Sequence, residues 1–299
     1  MGLVSNSGRG SCVINYTRNF WNIENEHLKN IIFFIVIIFV SLIAIISSNL
    51  IIGIVNILRY LITNPDLENL RNTATNLINT SDPWNLVNEL LRGILIVYLI
   101  KIVHRTLNKS NISLGNLGFH LELKQLANLA MGIALMSCLF LVALFKNVGG
   151  QQVVNSMVTT YSQNGIVLLI LIAIANAFWQ EVVFRGYFQK RLMTSYGIIT
   201  GIVLTSFLFT TIHGLSRGIN LIEILLGTIL FTLIGVVYYL TNSIIYVTAI
   251  HATANFYLRS FTTNGLYMPE QKYRLAVFSL ALVIIVFLNR KILFPKNDQ

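Results

Sequence analysis

The chain has 299 residues, 55% of them hydrophobic and 11% charged, with a formal net charge of +10 and a mean hydropathy of +0.70. Soluble domains carry about 25% charged residues, so this composition excludes an ordinary soluble domain and leaves a polytopic membrane protein. The positive charge fits Lys and Arg at helix ends. No basic stripe is interleaved with aromatics, which argues against nucleic acid as a partner, and two cysteines make no disulfide framework.

The expected fold class is all-α, with about eight transmembrane helices joined by short loops. Residues 1–30 form a polar N-terminal tail, and the apolar stretch after it is longer than the h-region of a signal peptide, so it reads as a retained helix. Ile31 to Leu58 carries no charge between Lys29 and Arg59, which exceeds the ~20 residues a span needs. A polar connection with Pro65 and Pro83 follows. The second span covers 84–104; Arg92 and Lys101 interrupt it and imply one face toward other helices or snorkelling side chains. After a polar connection with Gly115 and Gly118, the third span covers 126–145, ending at Lys146. The fourth runs from Gly165 to about Met193, and the rest cover 198–215, 221–240, 243–260 and 275–289. Counting Lys and Arg on the two sides of these spans favours both termini in the cytoplasm, for a multi-pass protein of the plasma membrane.

Within this apolar frame Glu181 and Arg185, His213, and His251 and Asn255 recur in three different spans. Ionisable groups inside a bilayer are expensive and mark functional sites by default. At a rise of ~1.5 Å per residue, Glu181 lies roughly 18 Å deep, His213 roughly 22 Å, and His251 and Asn255 roughly 12 and 18 Å. One polar layer is therefore permitted. Glu181 with Arg185, and His251 with Asn255, share faces at i,i+4. The same spacing suits a structural ion pair, and one intramembrane His is often a helix–helix hydrogen bond. Glu223 lies outside the pattern and reads as a local polar contact. A carboxylate and a histidine can activate water, while a second histidine and an amide can stabilise an oxyanion, as amide hydrolysis requires. Zinc on two His and one Glu is the rival, although no H-E-x-x-H is present.

These motifs resemble the CAAX-protease and bacteriocin-processing (CPBP/Abi) family of intramembrane proteases. The family marks are E-E-x-x-x-R, F-x-x-x-H and H-x-x-x-N in successive spans. Here they read Gln180-Glu181-Val182-Val183-Phe184-Arg185, then Phe209-Thr210-Thr211-Ile212-His213, then His251-Ala252-Thr253-Ala254-Asn255. The resemblance covers about residues 115–260. It divides the chain into the tail 1–30, two leading spans over 31–113, a protease-like core over 114–260, and a last span with a tail over 261–299.

The resemblance implies hydrolysis of a peptide bond in a membrane-embedded or lipidated protein or peptide, inside a cavity of the bilayer. It implies that the first Glu and the F-x-x-x-H histidine activate water, that His251 and Asn255 hold the oxyanion, and that Glu181 and Arg185 support the site. It implies no certain cofactor, since both a metalloprotease and a metal-free glutamate mechanism are attached to the family.

The chain departs from the pattern at the first Glu, which is Gln180. An amide positions water by hydrogen bonds but does not take its proton. Glu181 points about 100° away around an α-helix and is the candidate substitute base. An active protease with a reassigned base, a pseudoprotease and an inactivated variant all fit. Outside proteolysis, a scaffold binding a membrane partner fits the same cavity. A transporter fits the buried charges but lacks paired broken helices.

Overall fold

The computed structural model describes residues 26–63, 82–108, 110–120, 165–217 and 221–262, together with single residues and short pieces within 127–138 and at 155, 280 and 284. The regular elements among the described residues are helical, without a strand. We label them α1 (Glu26–Thr63), α2 (Asp82–Asn108), α3 (Ile166–Glu181), α4 (Lys190–Tyr196), α5 (Ile198–Arg217), α6 (Leu221–Thr241) and α7 (Ile244–Thr262). A 3₁₀ turn covers Gly115–Leu117, and a π-helical segment, Val182–Gln189, joins α3 to α4 without a break. Long apolar runs take this form because hydrocarbon offers no partner to backbone N–H and C=O groups, and a helix satisfies them internally.

Among the described residues, three stretches are long and apolar enough to cross a membrane: Asn30–Arg59, Ile166–Tyr196 and Ile224–Thr241. This is fewer than the expected eight. Half of the 126–145 span and almost all of the 275–289 span lie outside the described residues, as does the 64–81 connection. The expected 84–104 span is helical, but it carries Glu89, Arg92 and Lys101, which lower its apolar character.

Unlike that of a water-soluble fold, the exterior is strongly apolar, and polar side chains are found inside. Ile35, Phe39, Ile46 and Ile94 are exposed, whereas Gln180, Glu181, Arg185, Gln189 and His251 are buried. Such an outside matches lipid tails, and such an inside must satisfy its own polar groups.

The α3–π–α4 rod is central. α2 and α7 pack against α3, α5 packs against α4 and α6, and α1 lies on α2. One apolar core joins Phe33 and Ile37 of α1, Ile96 and Ile100 of α2, Val182 and Phe188 of the π segment, Phe209 of α5, and Tyr238 and Tyr246.

Two glycines shape the joints around this core. Gly197, at φ 87, ends α4 and lets α5 fold back closely, so that a Cβ on Gly201 would collide with the Met193 backbone. Gly118, at φ 90, accepts a bond from Ile244 N at 3.0 Å and so ties the 3₁₀ turn to the start of α7.

Candidate active site

Glu181 closes the α3 helix with its side chain fully buried. Its Oε1 lies 2.7 Å from His251 Nδ1, and Oε2 lies 3.4 Å from Arg185 Nε. His251 Nδ1–H therefore donates to the carboxylate, which orients the imidazole. Arg185, also fully buried, donates from Nη2 to the Phe231 carbonyl at 3.0 Å and sits 5.7 Å and 6.0 Å from the Phe209 and Phe231 ring centroids. Two buried charges are tolerable because each faces the other and aromatic faces cover the cation.

The backbone changes winding directly after Glu181. The i→i+5 turns of Val182–Gln189 are rare and occur often at functional sites. Gly186 inside this segment allows close approach of the 3₁₀ turn, since a Cβ there would stand 3.0 Å from Leu117 O. Tyr238 Oη donates to that same carbonyl at 2.8 Å.

His213, on α5, is half-buried. Its Nδ1 lies 2.9 Å from the Phe209 carbonyl. A carbonyl only accepts, so Nδ1 carries a proton and the neutral ring has its lone pair at Nε2. The imidazole stacks on Phe209 at 4.1 Å between centroids. His251 meets the same Phe209 ring edge-on at 5.8 Å, so the two histidines share one aromatic wall.

Gln180 and Asn255 join this site through a residue the motifs omit. Gln180 Nε2 donates to Asn176 Oδ1 at 3.1 Å, and Asn255 Nδ2 donates to the same oxygen at 3.2 Å. The antiparallel pair α3 and α7 thus matches Glu181 with His251 and, about one turn away, Asn176 with Asn255. Gln180 Oε1 is buried and lacks a hydrogen-bond partner among the described residues.

Residues 162–257 match the family model described as type II CAAX prenyl endopeptidase Rce1-like. This stretch is similar to that family. It agrees with the family that the three motifs resemble, and it contains Gln180, Glu181, Arg185, His213, His251 and Asn255. No curated protein and no solved structure matches the chain.

Among the described residues no three His, Cys, Asp or Glu side chains converge as ligands.

Sequence reasoning missed Asn176, Glu89 and Gln189. Asn176 stands at i−4 from Gln180, a shared-face spacing that was available. Glu89 lies one turn before Arg92 in a span, and the two pair at 2.8 Å. The side chain of Glu223 lies outside the described residues.

Proposed function

We propose that the chain is an intramembrane endopeptidase that hydrolyses a peptide bond in a membrane-associated, lipidated substrate, with a prenylated C-terminal peptide as the first class to test. The reading is supported by the Glu181–His251 contact, the Gln180–Asn176–Asn255 link and the Phe209 ring shared by His213 and His251, inside a segment similar to that family.

The chemistry follows from the atoms available. Gln180 Oε1 accepts a hydrogen from water and orients it. His213 Nε2 takes the proton as the water oxygen attacks the scissile carbonyl carbon, then returns it to the leaving amine as the C–N bond breaks. Asn255 has a second Nδ2 hydrogen for the oxyanion, and His251 is held in place by its Nδ1–H bond to Glu181. Glu181 therefore orients His251 and pairs with Arg185 rather than acting as base. We place the protein as a multi-pass species of the plasma membrane with cytoplasmic termini, on the Lys and Arg distribution.

The test is cleavage of a prenylated reporter peptide by the purified full chain and by its His213→Ala form. Cleavage by the first and a loss of at least ~100-fold in the second is the expected result. Gln180 favours one second reading, a pseudoprotease that retains the cavity for binding. A chain that binds the peptide with unchanged affinity after His213→Ala and never cuts it supports that reading instead.

A further inference from the structure

The polar chain that begins at Gln180 runs on through Asn176 to the leading helices. Asn176 Nδ2 donates to Glu89 Oε2 at 3.0 Å, and Trp179 Nε1 donates to that same oxygen at 2.9 Å. Glu89 Oε1 pairs with Arg92 Nη1 at 2.8 Å. Arg92 Nη2 then reaches Asn49 Oδ1 of α1 at 3.1 Å. Glu89 lies on α2, outside the Rce1-like stretch 162–257.

This network has a direction. A carboxylate facing a guanidinium is an acceptor, so Asn176 must turn its NH₂ toward Glu89. Its Oδ1 is then the atom left for Gln180 and Asn255. Gln180 must answer with its own NH₂, which leaves Oε1 on the other side, buried and lacking a hydrogen-bond partner among the described residues. A carboxylate at position 180 would set oxygen against Asn176 Oδ1. Asn176 cannot turn to relieve this, because its oxygen would then face Glu89.

We infer that Glu89, acting through Asn176, is a positioning residue that sets the hydrogen-bond polarity at residue 180, matched to glutamine and mismatched to glutamate. Gln180 is then not a lone lesion in an otherwise glutamate-type site; the surrounding network is built for an amide. The consequence for catalysis, a carbonyl oxygen held toward the reacting water, rests on the hydrolytic reading above. The coupling itself does not.

The test is a double-mutant cycle on the unfolding midpoint of the full chain in lipid nanodiscs, combining Gln180→Glu with Glu89→Gln. The cycle is run in a Trp179→Phe background, which removes the second donor to Glu89 Oε2. An amide at position 89 can then present its NH₂ to a reversed Asn176, Asn255 turning with it, and Asn176 donates to a carboxylate at position 180. Arg92 loses its ion pair in both backgrounds, so Glu89→Gln is expected to lower the midpoint of the Gln180 form more than that of the Gln180→Glu form. The difference should be about 3 °C or more, the size of one buried hydrogen bond in a chain of this length. Should Glu89→Gln alone fail to fold because Arg92 loses its partner, Glu89→Gln with Arg92→Met removes both charges and carries the same expected difference. A shift of the same sign and size in both backgrounds overturns the inference. Reporter cleavage by the same proteins is read in parallel. Absence of cleavage in every form counts against hydrolysis, while the difference between the midpoint shifts still decides the coupling.

Discussion

Glu181 and His251 meet at 2.7 Å across the α3–α7 contact, and the second oxygen of Glu181 faces Arg185 at 3.4 Å. One carboxylate thus holds a histidine of a neighbouring helix and a cation of its own rod. Removing it leaves Arg185 buried without an anion. Glu181→Gln is expected to destabilise the fold by about 3–5 kcal/mol and to abolish cleavage. The double change Glu181→Gln with Arg185→Met should destabilise less than Glu181→Gln alone. Unfolding midpoints of the three proteins check this, and a double variant no more stable than Glu181→Gln contradicts it.

Arg185 and Gln189 are one step apart on the rod and donate to the Phe231 and Gly235 carbonyls of α6 at 3.0 Å and 2.8 Å. These two bonds fix the register of the rod against α6. Gln189→Leu should cost about 1–3 kcal/mol. Gly235→Ala should cost a similar amount, because its Cβ would lie 2.8 Å from Ile202 Cγ2 and 2.9 Å from Gln189 Oε1. Both are measured as midpoint shifts, and a neutral Gly235→Ala would show that the approach is looser than described.

The tautomer of His213 is pinned by the Phe209 carbonyl, 2.9 Å from Nδ1. His213→Ala should lower cleavage by about 10²–10⁴-fold with the helical circular-dichroism signal unchanged. His213→Gln should be equally inactive, since an amide does not accept the proton. Activity retained by either variant would remove His213 from the proton-transfer role.

Gly118 carries the left-handed backbone that turns the 110–120 connection under the site, at φ 90 with Asn242 O 2.8 Å from an added Cβ. Gly118→Ala is expected to cost about 1–3 kcal/mol and to loosen the 3₁₀ turn from the π segment. Faster hydrogen exchange at Ile244, whose N–H bonds Gly118 O, would register that loosening.

Much of the helical frame was legible, because hydrophobic runs bracketed by charges report length directly. The expected 198–215, 221–240 and 243–260 helices lie within two residues of α5, α6 and α7 at each end. The α3–π–α4 rod was legible as one apolar element, but not its change of winding. A π segment leaves no hydrophobic period of its own, and its contacts with Leu117, Phe231 and Gly235 are tertiary. The motif residues stood out because a charge in an apolar run is visible without neighbours. Glu89 and Asn176 did not, since each is unremarkable until the other helix is beside it.

By itself the sequence determined that the chain is apolar and helical, and that a carboxylate, an arginine, two histidines and two amides lie within its apolar segments. Those are properties of composition and local periodicity. Only the tertiary structure decided the partners: that Glu181 faces His251 and Arg185, that His213 is anchored to its own backbone, and that Gln180 is read by Asn176 and Glu89. Hydrogen-bond direction depends on which donor meets which acceptor across helices, and sequence spacing along one helix does not carry that information.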